Sequence, residues 1–148
     1  MIRAFTGPTF LTEKQARWAA LRMLAVQPVA DVWRSGCAYG IDTLAAWLAV
    51  GVNADLEFYQ PAAPYNQEVV RSLVGHEGVV VKRCVAADTN PSSYRNRNNA
   101  MLQGADQLVA FVKKPADEYY RSGEWMTINI ARTHHIETQV YQLPGSKS

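Results

Sequence analysis

The chain has 148 residues, 48% of them hydrophobic, which suits a single globular domain with one core. Its formal net charge is only +2 and charged residues make up 19%, which excludes a basic surface that attracts nucleic acid over its whole area. It contains no apolar run of about 18 residues, no secretory leader and no closely spaced cysteine pair. We therefore expect a cytoplasmic protein with no membrane partner, in which Cys37 and Cys84 are free thiols.

Short apolar runs alternate with helical patterns along the chain. The strand-like runs lie at residues 2–5, 29–33, 55–59, 79–81, 107–112 and 138–143. Thr12 and Gln15 resemble a capping box for the first helix, and Asn66 is suited to cap a later one. Further helical patterns cover residues 43–50, 94–102 and 124–134.

This alternation of strands and helices predicts an α/β fold. Right-handed crossovers between successive strands produce a mainly parallel sheet with helices on both faces. We expect a Rossmann-like, doubly wound single domain over residues 1–145, followed by a tail at 146–148. Ligands of such sheets bind at the carboxyl ends of the strands, so the loops at Gly7, Gly36, Pro61, Asp88 and 113–123 should share one edge.

Residues 33–42 are the first candidate binding motif, predicted as a strand, a tight loop and the start of a helix. Gly36 and Gly40 would let the backbone approach a phosphate, which the free N–H groups of a helix start attract. Ser35 would donate a hydroxyl hydrogen bond to that phosphate. Asp42 either caps the helix, its more ordinary role, or accepts from a ribose hydroxyl. The alternative is that both glycines only make a tight turn and close helix packing.

Arg95 and Arg97 begin a helix that is unusually rich in asparagine, including Asn98. Arginine suits bidentate recognition of phosphate, and amides add neutral donors. Residues two apart do not share a helix face, so at most one arginine should point at a ligand while the other pairs with a carboxylate. The alternative is a solvated helix face.

Ser122 and Gly123 precede the last predicted helix and form a second candidate anion site. Glu124 beside them, and Glu68 near an earlier helix start, are the weak candidates for a catalytic carboxylate. Their ordinary role is to complement a helix N-terminus. We predict no metal site, because the chain contains neither HExxH nor a cysteine partner for His134 and His135, and no cofactor.

Three segments resemble one known family. Residues 35–42, SGCAYGID, resemble the SGxAxGID motif of the DNA-processing protein A (DprA/Smf) proteins, and residues 94–98, YRNRN, resemble their RNR segment. Residues 122–127, SGEWMT, with Ile130, Ala131, Val140 and the Pro-Gly at 144–145, look like their carboxyl-terminal pattern. The resemblance implies the SLOG superfamily of Rossmann-like domains, in a small stand-alone form, and self-association by analogy. Its matching positions imply that Gly7, Ala38, Tyr39 and Thr127 also contact the ligand.

Members of that superfamily bind nucleotides, nucleotide-derived signals or single-stranded DNA, and three hypotheses follow. The leading one is a nucleotide or nucleotide-derived ligand in a pocket that comprises the glycine loop, Arg95 or Arg97, and residues 122–123. The second is a minimal single-stranded DNA binder that also uses Lys113 and Lys114. The third is a nucleotide N-glycosidase similar to the LOG phosphoribohydrolases, with Glu124 or Glu68 acting. In each of them, a tyrosine at a ligand-edge loop could stack a base.

Overall fold

A computed structural model of the chain describes residues 1–62, 64–84, 92–113 and 123–145. The strands are β1 (Ile2–Thr6), β2 (Val32–Ser35), β3 (Asp55–Gln60), β4 (Val79–Arg83), β5 (Gln107–Val112) and β6 (Glu137–Gln142). The helices in the described residues are α1 (Glu13–Ala25), α2 (Ile41–Gly51), α3 (Gln67–Leu73), α4 (Ser92–Leu102) and α5 (Gly123–Thr133). None of these helices combines the length and the apolar character that crossing a membrane requires. The predicted tail at 146–148 lies outside the described residues.

The six strands form one sheet in the order β4-β3-β2-β1-β5-β6, and every neighbouring pair is parallel. The chain steps outward from β1 to β4 and then crosses back to place β5 beside β1. This reversal is the switch point of a doubly wound sheet. The predicted Rossmann-like fold is therefore confirmed.

Both faces of the sheet are covered. Phe5, Trp33 and Phe58 belong to one apolar layer, which α1, α2 and α3 complete with residues such as Met23, Ala45 and Leu73. The opposite layer contains Leu108 and Ala110 beneath α4 and α5. Strand β5 is buried along its whole length, as a central parallel strand covered on both faces requires.

Two predicted helix starts are confirmed in detail. Thr12 and Gln15 form the reciprocal capping box, with Gln15 N–H donating to Thr12 Oγ1 at 3.1 Å. The side chain of Asn66 accepts from the N–H of Val69 at the start of α3. The prediction that the second strand begins at Val29 is wrong, because Val29 is 73% exposed and pairing begins at Val32.

Helix α4 is fixed to the sheet by a buried arginine. Arg34 of β2 donates to the carbonyl oxygens of Met101 and Gln103 at 2.9 and 2.6 Å, at the carboxyl end of α4. A cation at that position complements the negative end of the helix dipole. The guanidinium of Arg34 also binds Glu57 of β3 at 2.7 Å, and Glu57 in turn lies 3.3 Å from Lys82 of β4. These contacts hold the helix that carries Arg97.

Candidate ligand site

A cavity of about 780 Å³ opens at the carboxyl edge of the sheet, beside the switch point. Its walls come from the loops after β1, β2, β3 and β5 and from the first turns of α4 and α5. The lining residues are Thr6, Gly7, Pro8, Thr9, Phe10, Ala38, Tyr39, Asp42, Pro64, Tyr65, Tyr94, Arg97, Asn98, Lys113, Glu124, Met126 and Thr127. This is the edge at which ligands of doubly wound sheets bind. The predicted loop at Asp88 lies outside the described residues.

The loops after β1 and β2 pack backbone against backbone. Gly40 adopts a φ of +73°, and a Cβ there would lie 2.7 Å from the carbonyl carbon of Thr9 and even closer to the carbonyl oxygen of Pro8. A Cβ on Gly7 would overlap Ile41, whose N–H donates to Pro8 O at 3.1 Å. Both glycines are therefore required by the contact between the loops, which fixes one wall of the cavity.

The carboxylate of Asp42 points back into the glycine loop. One of its oxygens accepts from the Ala38 N–H at 3.2 Å, and the same carboxylate lies near the Gly36 N–H. The prediction that Asp42 caps α2 is wrong, because Gly40 occupies the N-cap position and Asp42 lies in the first turn. Burial raises the pKa of Asp42, although the charge of Arg97 and the loop N–H groups oppose this shift. The carboxyl group of Asp42 thus occupies the loop in which the sequence predicts a phosphate.

Ser35 also makes an internal contact. Its hydroxyl donates to the carbonyl oxygen of Asp42 at 2.6 Å, and the residue is fully buried. The space around Gly36 has no room for a side chain, because a Cβ there would lie 2.8 Å from both the Arg97 guanidinium carbon and a carboxylate oxygen of Asp42. Ser35 and Gly36 therefore organise the loop from behind and do not line the cavity.

Arg97 reaches across from α4 to close this loop. It donates to the Gly36 carbonyl oxygen, its Nε donates to Asn98 Oδ1 at 2.7 Å, and its Nη1 lies 4.0 Å from the Asp42 carboxylate. Within the described residues its Nη2 makes no hydrogen bond, and the Arg97 side chain lines the cavity. The same holds for the amide nitrogen of Asn98, a residue that is only 4% exposed. Two buried side chains therefore line the cavity with donors that no other described residue engages.

Arg95 and Arg97 point to different sides of α4, as their spacing predicts. Arg97 lines the cavity, whereas Arg95 is exposed on the outer side of α4. No carboxylate within the described part of the chain lies within ion-pair distance of Arg95, so its predicted pairing does not occur there.

The remaining predicted site residues fall into three groups. Thr127 is buried and lines the cavity together with Glu124, near Gly123 at the start of α5. Glu68 is exposed in the first turn of α3 and does not line the cavity, in agreement with its ordinary role at a helix start. Ser122 and Lys114 lie outside the described residues. Within the described ranges, no cluster of three or more acidic, histidine or cysteine side chains could hold a metal ion.

Aromatic rings surround the mouth of the cavity. Tyr39 is 58% exposed, Tyr94 donates to Pro64 O at 2.9 Å, and Tyr65 lies beside them. Phe10, 67% exposed with Lys113 Nζ 5.1 Å from its ring centroid, is a lining residue that the sequence patterns did not indicate. Tyr59, another ligand-edge tyrosine in the sequence, is buried under α4 instead.

These features define a Rossmann-like α/β domain with a ligand-sized cavity at its switch point. The fold is that of DNA processing protein A (DprA). The solved structure from Streptococcus pneumoniae matches 98% of this chain with a TM-score of 0.71 and 18% identity. The Helicobacter pylori protein, whose single-stranded DNA binding mode is described, matches 100% with a TM-score of 0.72 and 18% identity.

The chain spans 50% of the Streptococcus pneumoniae protein and 68% of the Helicobacter pylori one. No protein-family model matches the chain, and no curated protein matches it in sequence. The similarity to DprA is therefore one of fold.

Proposed function

We propose that this protein binds single-stranded DNA, with one nucleotide unit seated in the cavity at the sheet edge. The observation that carries the proposal is the combination of exposed rings at the mouth, Phe10 and Tyr39, with the buried cation Arg97 behind them. Aromatic rings that stack bases, combined with a cation for the backbone, are the usual elements of single-strand binding. The single-stranded DNA binding mode of the Helicobacter pylori DprA supports the proposal.

The charges around the cavity suggest how a nucleotide would be oriented. Asp42 already occupies the N–H groups of the glycine loop, so a phosphate would instead bind Arg97 and Lys113. The base would then stack on Tyr39 or Phe10, and the amide nitrogen of Asn98 would donate to it or to the sugar.

Few cations take part, and the salt dependence should therefore be shallow. One neutralised phosphate on a single strand gives a slope of about −0.7 in a plot of log K against log salt concentration. A protein with a long basic groove would show a much steeper slope.

Fluorescence anisotropy of a labelled oligothymidine, titrated with the protein at several salt concentrations, tests this proposal. Tyr39→Ala should weaken binding by about 5- to 150-fold, which corresponds to the loss of one stacked base. Trp47→Ala is the control, because Trp47 is 48% exposed on α2 and does not line the cavity. If no oligothymidine binds, or if both variants bind as the wild type does, the proposal fails.

A free nucleotide or nucleotide-derived ligand is the second candidate for the same cavity. A volume of about 780 Å³ lies in the usual range of small-molecule sites, and Arg97 and Asn98 converge on it from one helix. Nucleotides, cyclic dinucleotides and ADP-ribose derivatives should then raise the melting temperature of the folded protein. A nucleotide that gives such a shift, while no oligothymidine binds, would favour this candidate over the first.

The N-glycosidase hypothesis now rests on Glu124, since Glu68 lies away from the cavity. Its test is the release of free base from the common nucleoside monophosphates, followed by chromatography. Release by the wild type and not by Glu124→Gln would support hydrolysis, whereas no release from any of them would exclude that activity.

A further inference from the structure

A groove runs along the outer surface between α4 and α5. It consists of two hollows, of about 600 and 630 Å³. The first lies between Arg95 and Asn99 on one helix and Asn129 and Thr133 on the other. The second continues past Gln103 toward the carboxyl ends of the same two helices. We call the two hollows together the α4–α5 groove.

The α4–α5 groove is continuous with the cavity. Met126 lines both the cavity and the first hollow, and Asn99 and His134 line both the first and the second. A strand that leaves the cavity past Met126 would therefore meet the first hollow of the groove.

The groove is chemically suited to a polyanion with bases. Among the described residues that line it, none is acidic, and they include an exposed arginine, a histidine and three neutral amides, namely Arg95, His134, Asn99, Gln103 and Asn129. By contrast, Nη2 of exposed Arg17 lies 3.5 Å from Oε1 of Glu13. Arg95 forms no ion pair with any described residue.

We propose that the α4–α5 groove is a second subsite, which receives the part of a DNA single strand that emerges from the cavity. Arg95 binds a phosphate there, and the asparagine amides contact bases or sugars. From Arg95 to Gln103 the helix rises about 12 Å, the length of about three stacked nucleotides. This inference rests on the proposed single-strand binding in the cavity and adds the direction of the strand.

The test is an affinity series of oligothymidines from two to eight nucleotides, measured by competition against a labelled strand. For the wild type, affinity should rise by about tenfold or more as the strand becomes long enough to fill the groove. Arg95→Gln should bind the dinucleotide as the wild type does, bind the octamer about fivefold more weakly, and show a salt slope for the octamer lower by about 0.7. Arg71→Gln is the matched control, since it removes the same charge from the exposed face of α3.

The possible results separate the two proposals. If affinity stops rising at two nucleotides, or if Arg95→Gln and Arg71→Gln bind the octamer equally, the groove is not a subsite, while binding in the cavity stands. If Arg95→Gln weakens the dinucleotide as much as the octamer, Arg95 acts at the cavity and the groove proposal is also overturned. If no oligothymidine of any length binds, the proposed function fails and the groove proposal with it.

Discussion

Replacing Arg97 with methionine tests whether the ion pair behind the cavity stabilises the fold. The side chains of Arg97 and Asp42 are only 9% and 7% exposed, and the pair lies 4.0 Å apart. Methionine keeps most of the apolar contact of the arginine stem but leaves the Asp42 carboxylate buried without its cation. It also removes the donor to the Gly36 carbonyl oxygen.

The expected loss of stability is large. Removing one partner of a buried ion pair costs about 3–5 kcal/mol. This pair borders an open cavity, so we expect the lower end, about 3 kcal/mol, because water can reach the abandoned carboxylate. In a domain of this size, about 1 kcal/mol shifts the melting temperature by about 2–4 °C, and Arg97→Met should therefore melt about 6–12 °C below the wild type.

A double-mutant cycle with Asp42→Asn separates the ion pair from packing. Asparagine keeps an oxygen to accept from the Ala38 N–H but carries no charge, so Arg97→Met should cost at least about 1.5 kcal/mol less in that background. Free energies of unfolding from urea titrations at neutral pH supply the four values. Arg95→Met, on the exposed side of the same helix, controls for helix propensity. If Arg97→Met costs the same in both backgrounds within about 0.5 kcal/mol, the ion pair contributes nothing and the reasoning is refuted.

The other predictions concern the glycine loop and the pH dependence of stability. Gly40→Ala should destabilise by at least about 2 kcal/mol in urea titration, because of its positive φ and the overlap with Pro8 O, whereas Gly51→Ala, with nothing within 4 Å, should be neutral or slightly stabilising. Burial of Glu57 acts to raise its pKa, but the ion pairs with Arg34 and Lys82 outweigh burial, and the net pKa is lowered. Ionised Glu57 therefore stabilises the protein above pH 4.5, and this stabilisation is lost as the pH falls through the folded-state pKa. Glu57→Gln should flatten the acid side of a plot of melting temperature against pH. The pKa of Asp42 is raised, so the folded protein holds this proton more tightly than the unfolded chain does. The free energy of unfolding therefore decreases as the pH rises from 3.8 through the folded-state pKa, and Asp42→Asn should remove that decrease. A melting temperature whose pH dependence is the same in all three proteins would contradict both assignments.

The fold could be predicted from the sequence because its signals are local. Strand β5 is apolar at most positions and buried at all of them, and capping residues mark the starts of α1 and α3. Right-handed crossovers then leave few arrangements of alternating strands and helices. The start of β2 could not be predicted, because Val29 has strand propensity but is left outside the sheet, while Asp31 binds the amino terminus at 3.0 Å.

The candidate site could be predicted only in part. The spacing of Arg95 and Arg97 indicates that one of them faces inward, and the contact with Gly36 identifies which. The direction of the Asp42 carboxylate has no sequence signal, since a first-turn aspartate more often complements a helix start than turns back into the preceding loop. Phe10 was missed because it reaches the cavity through the tertiary contact between the loops of Gly7 and Gly40.

The position of Asp42 changes what the glycine loop implies about function. In a loop that cradles phosphate, the backbone N–H groups must be free to receive the ligand's oxygens. In this protein, the buried carboxyl group of Asp42 already accepts a hydrogen bond from the Ala38 N–H, and Arg97 lies beside that carboxyl group. A ligand with a large phosphate charge would have to displace it or bind beyond it. The side chains of Arg97 and Asn98 and the exposed rings of Tyr39 and Phe10 line the cavity beyond it. This arrangement agrees with the proposed binding of one backbone phosphate and a stacked base, and it leaves little room in the loop for a triphosphate.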